Sequence, residues 1–278
     1  EALNFDNAMS ACPLCSPNRA TMFTGTHPVT HGVWTNCKPG LPNLELRETD
    51  VTLMDVLKND GYKIGYIGKW HLDSPEVNFN PEPVSGARDW DAFTPPGKRR
   101  HGVDYWYSYG TYDQHLKPHY WHDDNKMIQI DQWSVEHETD KAIEFINKNK
   151  DEAFSLILSW NPPHTPLDLV PQKYVDMYKD KKFKVNPNVL LTGVTDHTES
   201  VNPRLNFTDE QYQDVMRKYF AAVTGIDENF GRLLQNLKDN GIYDDTIIVL
   251  TADHGEMLCA HRLWSKHVWF EESTGVPF

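Results

Sequence analysis

The chain has 278 residues, 24% charged and 12% aromatic. This is an ordinary globular composition that excludes a disordered or low-complexity protein and suffices for one substantial core with a lesser lobe. Twenty-seven Lys and Arg stand against 40 Asp and Glu, a formal charge of -13 that argues against a nucleic-acid partner. No run is long and apolar enough to cross a bilayer and no signal peptide opens the chain. Its abrupt start at Glu1 and stop at Phe278 suggest a piece of a longer protein.

The first element is Cys15-Ser16-Pro17-Asn18-Arg19, with Thr24-Gly25 beyond it. It reads as an extended stretch turning into a helix, Pro17 in the first turn and Gly25 as the cap. Cys15 then sits just ahead of a helix N-terminus, where free N–H groups attract anions and lower a thiol pKa. Arg19 follows one turn later on the same side. A nucleophile beside a guanidinium suits attack on a sulfuryl or phosphoryl centre. Cys12 and Cys15 also form a C-x-x-C pair, but no βαβ start accompanies it, and the four cysteines (12, 15, 37 and 259) are too few for a disulfide scaffold.

Thr52-Leu53-Met54-Asp55 opens a helix with a capping-box pattern that Gly61 closes, and residues 62–67 form a strand. Gly68-Lys69-Trp70-His71 comes next and delivers Lys69 and His71 to the end of that strand. The stretch 73–125 is crowded with Pro, Gly and aromatic residues and reads as an irregular insertion. Its rings, Trp106 for one, form either a sugar-stacking wall or a satellite core. His101, His115, His119 and His122 lack regular ligand spacing and read as core or solvated histidines.

Residues 135–149 predict a helix and 154–160 a strong strand, followed by Asn161-Pro162-Pro163-His164-Thr165-Pro166, whose prolines stiffen the loop that carries His164. Thr208 with Gln211 caps a long helix whose apolar stripe, from Tyr212 through Phe220 and Val223 to Leu237, reads as core packing. Asn206-Phe207-Thr208 is a glycosylation sequon, too common to locate the protein. Residues 246–251 predict a buried strand running into Asp253-His254-Gly255-Glu256, with Lys266 a few residues on. The alternation implies an α/β fold, a mostly parallel central sheet flanked by helices, with ligands beyond the strand C-termini. Each strong strand delivers a cation, imidazole or carboxylate to that edge.

The motif at Cys15, together with Gly-Lys-Trp-His, Pro-His-Thr-Pro and Thr-x-Asp-His-Gly in that order, resembles the type I sulfatases of the alkaline-phosphatase-like superfamily. The resemblance spans nearly the whole chain. It implies that Cys15 is oxidised to formylglycine by a maturation enzyme and that Arg19 and Lys69 hold and polarise the nucleophile. It gives His71 the final proton abstraction and His164 and Lys266 the leaving group. It assigns Asp253, His254 and position 15 to a divalent metal, calcium. Sulfated carbohydrates or aryl sulfate esters are the implied substrates, and the periplasm or a secreted location the implied compartment. The family also carries an aspartate pair on a first strand before the cysteine and a smaller C-terminal subdomain; neither is found here, so the metal site is expected to be incomplete and the chain truncated at both ends. His254 keeps open a phosphonate monoester or phosphodiester hydrolase of the same superfamily. A non-catalytic glycan-binding fragment with an unmodified cysteine is the third reading.

Overall fold

The chain enters through α1 (Cys15–Thr24), the single turn α2 (Pro28–His31) and α3 (Leu53–Asn59). β1 (Lys63–Lys69), β2 (Tyr105–Tyr109) and the short strands β3 (His119–Tyr120) and β4 (Ile128–Gln129) come next. α4 (Ser134–Asn149), β5 (Phe154–Ser159), α5 (Gln172–Asp176), α6 (Asp209–Asp239) and α7 (Glu271–Thr274) follow. These are elements of a computed structural model that describes residues 3–189 and 207–278. Asn206 of the sequon lies outside the described residues.

β1 is the middle of a parallel three-stranded sheet ordered β2-β1-β5, in which Gly68 aligns with Ser108 on one side and Ser159 on the other. Its residues are buried from Ile64 onward, as expected for a parallel strand covered on both faces. α4 lies against β1 and β5, and α6 packs on α4. Gly65 permits that approach: a Cβ there would fall 2.9 Å from Leu156 and from the Phe145 ring. Both expected capping boxes form. Thr52 and Asp55 bond reciprocally at the start of α3, and Thr208 and Gln211 do so at the start of α6.

Three sequence expectations are corrected, and the choice left open for Trp106 falls to core packing. The stretch 73–125 is not wholly irregular, because it supplies β2, a strand of the central sheet. Trp106, on that strand, does not face substrate; it is buried against Tyr66 and Trp70, with the Arg100 guanidinium over its ring. Residues 246–251 form no strand, and Ile247 is 93% exposed. Among the described residues no neighbouring strand pairs with them, and β-propensity without a ladder partner does not hold a strand. The apolar stripe of α6 is only partly core: Phe220 and Val223 are exposed, while Gln213, Ala221, Ala222, Gly225 and Asn229 are buried. Gly225 lies there because the Trp133 ring occupies the space a Cβ would take. Among the tempting histidines, His101, His115 and His119 are buried on protein partners and His122 bonds the Trp106 carbonyl.

Candidate active site

Cys15 is the first residue of α1, buried, behind an extended Leu14; Gly25 closes the helix in the left-handed region. The first turn is bolted to two other segments. Ser16 Oγ donates to the His71 carbonyl at 2.7 Å, and Asn18 Nδ2 donates to the Asp253 carbonyl at 2.6 Å. The Cys15 thiol is thereby fixed between the exit of β1 and the loop at 253.

Arg19 is buried and its donors are committed. Nε reaches the Trp70 carbonyl at 3.0 Å, Nη2 reaches Tyr66, Ser159 and the Lys69 carbonyl, and Nη1 reaches Asp253 Oδ2 at 3.4 Å. The expected role of polarising the nucleophile is therefore corrected in part: the guanidinium chiefly clamps the ends of β1 and β5 to Asp253. Its charge still acts on Cys15.

At the exit of β1 the backbone bends, with His71 at φ +54°. A left-handed conformation is costly for a non-glycine residue. Lys69 and His71 both act on Cys15 while Trp70, between them, enters the core. His71 Nε2–H donates to the Cys37 carbonyl at 3.1 Å, and its buried Nδ1 has no fixed partner. Burial holds this imidazole below its ordinary pKa, so a neutral ring with a free acceptor nitrogen stands beside Cys15.

Beyond β5, Asn161 Oδ1 accepts from Lys69 Nζ at 3.0 Å and Asn161 Nδ2 donates to Asp113 Oδ1 at 2.9 Å. His164 Nδ1 lies 2.8 Å from the Thr165 carbonyl and 3.3 Å from Asp113 Oδ1, and the His164 ring also acts on Cys15. His115 donates to the His164 carbonyl at 2.8 Å, securing its backbone. Sequence reading missed Asp113 and Asn161. Asn161 carried the signal available, a polar residue directly after a strong strand; Asp113, inside the aromatic stretch, carried none.

His254 Nε2 lies 3.3 Å from Cys15 Sγ, while its Nδ1–H donates to the Gly255 carbonyl at 2.9 Å. Lys266 is buried and its charge acts on Cys15. The five other catalytic candidates, with Asp253 and His254, thus converge on the Cys15 sulfur, even though no strand leads to 253. Burial alone would raise the Cys15 thiol. Lys69, Lys266 and His254, with the hydrogen bond from His164, overcome it and hold the thiol well below its ordinary range. Burial also opposes charge on His254, but Asp253 and Cys15 raise it. Asp253 overcomes its own burial through His254, Arg19 and Lys69 and stays ionised.

The sulfatase family model matches residues 1–278. The chain belongs to the sulfatase family. It is 35% identical to an endo-4-O-sulfatase of Bacteroides thetaiotaomicron, covering 100% of this chain and 54% of that sulfatase. It is 32% identical to an ulvan-active sulfatase of Formosa agariphila, covering 100% and 48%. The crystal structure of the sulfatase yidJ from Bacteroides fragilis superposes with a TM-score of 0.88 at 39% identity, covering 100% of this chain and 59% of that one. The chain thus spans about half the length of the curated sulfatases it matches.

Cys15, Asp253 and His254 offer three ligand atoms within 4.8 Å of one another, the metal-capable group among the described residues. Calcium takes six to eight oxygens. One carboxylate, one imidazole and one sulfur do not meet that demand, and the imidazole favours a softer divalent ion. The residues present do not by themselves fit calcium. Position 15 does fit formylglycine: the thiol sulfur stands where the oxygens of the aldehyde hydrate would lie, beside the unpartnered Nδ1 of His71.

Proposed function

We propose that this chain carries the reacting end of a sulfate-ester hydrolase that uses formylglycine at position 15. The observation that carries the reading is the convergence of Lys69, His71, His164 and Lys266 on one buried side chain in a member of the sulfatase family. An aldehyde hydrate at position 15 supplies one hydroxyl to attack sulfur and a second whose deprotonation releases sulfate. Lys69 holds the attacking oxygen and the sulfuryl oxygens. His164 and Lys266 meet the charge that grows on the departing alcohol oxygen, and one of them returns a proton to it. His71 then takes the remaining hydroxyl proton on Nδ1, since its Nε2–H is already spent on the Cys37 carbonyl. Each well-aimed donor is worth about 3–4 kcal/mol of barrier.

The substrate we favour is a sulfated carbohydrate. Trp90 supports it: this ring is 40% exposed, its centroid lies 6.2 Å from that of His71, and it offers an apolar face to a pyranose. The relatives named for 4-O-sulfate and ulvan substrates point the same way. A maturation enzyme that oxidises Cys15, and a periplasmic or secreted setting, belong to the same proposal. One observation favours a second reading as a phosphonate monoester or phosphodiester hydrolase, namely the imidazole of His254 in the metal-capable triad.

The test is made in the longest natural chain carrying this sequence, produced with a maturation system. Cys15→Ala is expected to abolish turnover of an aryl sulfate, and activity within a few-fold of wild type refutes the assignment. Intact mass reports conversion, because the aldehyde is lighter than the thiol; an unconverted, inactive protein that still binds glycans supports a binding fragment instead. A faster rate on an aryl phosphonate than on the matching sulfate selects the second reading.

A further inference from the structure

We infer that Asp113 is a positioning residue for the reaction proposed above, its carboxylate fixing the ring of His164 and, through Asn161, the ammonium of Lys69. The inference rests on that reading of the site. It is carried by one oxygen doing two things: Asp113 Oδ1 accepts from Asn161 Nδ2 at 2.9 Å and lies 3.3 Å from His164 Nδ1. Asn161 is itself oriented, with Nδ2 also donating to the Tyr112 carbonyl at 3.2 Å and Oδ1 accepting from Lys69 Nζ at 3.0 Å. A flipped amide would set its NH2 against the ammonium, so the Asp113 contact determines which end faces Lys69.

His164 and Lys69 repel one another, and both are drawn toward Cys15. A carboxylate paired with one at 3.3 Å and joined through an amide to the other holds them in place together. Burial would raise the Asp113 carboxyl, but the hydrogen bond and charge of His164, then Lys69 and Asn161, keep it ionised. The Thr165 carbonyl accepts the Nδ1–H of His164 at 2.8 Å, which selects the Nδ1-protonated tautomer and leaves Nε2 for the Cys15 side, with the Asp113 carboxylate 3.3 Å from the same nitrogen. What Asp113 adds is a second anchor, a carboxylate oxygen 3.3 Å from that nitrogen which also holds the Asn161 amide in place. The residue comes from the segment after β2, so the exits of all three parallel strands contribute to the site.

Asp113→Asn and Asp113→Ala are made in the longest natural chain carrying this sequence, matured at position 15. Two readouts are taken: ¹⁵N shifts of the His164 ring, and kcat and KM on aryl sulfates of graded leaving-group acidity. The expected result is a kcat loss of roughly 10–100-fold on poor leaving groups, the range found when an orienting partner is removed, with little loss on good ones and KM nearly unchanged. The ring signals should shift toward mixed tautomers and a less fixed ring. Should the alanine variant misfold, the isosteric asparagine variant decides. An unaltered His164 spectrum together with an unchanged leaving-group dependence overturns the inference, since the Thr165 carbonyl then suffices. A rise in KM alone also overturns it. If the wild-type protein turns over no sulfate ester, the proposed function fails, and the ring spectrum still decides what Asp113 does.

Discussion

Glu138 lies on α4 behind the exit of β1, with no exposed surface. Tyr120 donates to its Oε1 at 2.8 Å; its Oε2 has no partner and sits 3.0 Å from where a Cβ on Gly68 would be. Burial pushes this carboxyl from 4.5 up to about 8, and the Tyr120 hydrogen bond only partly opposes it. Glu138 is therefore protonated in the folded protein at neutral pH and ionised in the unfolded chain. The folded state binds one more proton between 4.5 and about 8, so its stability is full below pH 4.5, falls through that window, and levels off above it. Each pH unit of the window is worth 1.36 kcal/mol, which makes the loss about 5 kcal/mol at most, and dielectric relaxation reduces it to roughly 3. Glu138→Gln keeps the shape and removes the titration. It should match wild type at pH 4.5 and exceed it by about 3–5 kcal/mol at pH 8, or roughly 10 °C in Tm. Urea unfolding at both pH values measures this. An equal difference between the two proteins at both values refutes the reasoning, because packing alone would then explain the effect.

Lys266→Ala should slow hydrolysis of sulfates with poor leaving groups far more than those with good ones; equal losses across an aryl sulfate series remove its role in leaving-group departure. Thr52→Ala deletes one half of the capping box on α3 and should cost about 1 kcal/mol, a fall of roughly 2–4 °C in Tm by calorimetry. Gly65→Ala drives a methyl group to 2.9 Å from Leu156 and Phe145 and should cost about 1–3 kcal/mol by urea unfolding.

Much of this was legible in the order of residues. Capping boxes at Thr52 and Thr208 are local signals, written within four residues, and both form. β1 and β5 were readable because their apolar runs are flanked by turn signals. Residues 246–251 carry an equally strong β-branched run and form no strand, because pairing depends on a neighbour and composition cannot supply one. The site shows the same division. Cys15, Lys69, His71, His164, Asp253, His254 and Lys266 follow short motifs. Asp113 has no motif, since it acts through contacts with His164 and Asn161 roughly fifty residues away. The fate of Arg19 was hidden for a related reason: its one-turn spacing from Cys15 was visible, but the carbonyls of Lys69 and Trp70 that absorb its donors were not.

The -13 formal charge and the anionic substrate proposed above are reconciled by where the charges sit. Lys69, Lys266 and Arg19 are buried, in surroundings where one charge about 4 Å away is worth about 4 kcal/mol at an effective dielectric near 20. Surface carboxylates act through water and are screened beyond ~8–10 Å at physiological salt. A sulfate ester approaching such a protein meets weak repulsion first and strong attraction only on contact. Moderate salt therefore removes the repulsion before it weakens the site, because the cations there are shielded from solvent ions. Burying cations beside one another costs stability, and the carboxylates of Asp253 and Asp113 limit that cost. These same two anions orient the groups they neutralise, Asp253 through Arg19 and Asp113 through His164 and Asn161. Charge balance and geometry in this site are therefore supplied by the same side chains.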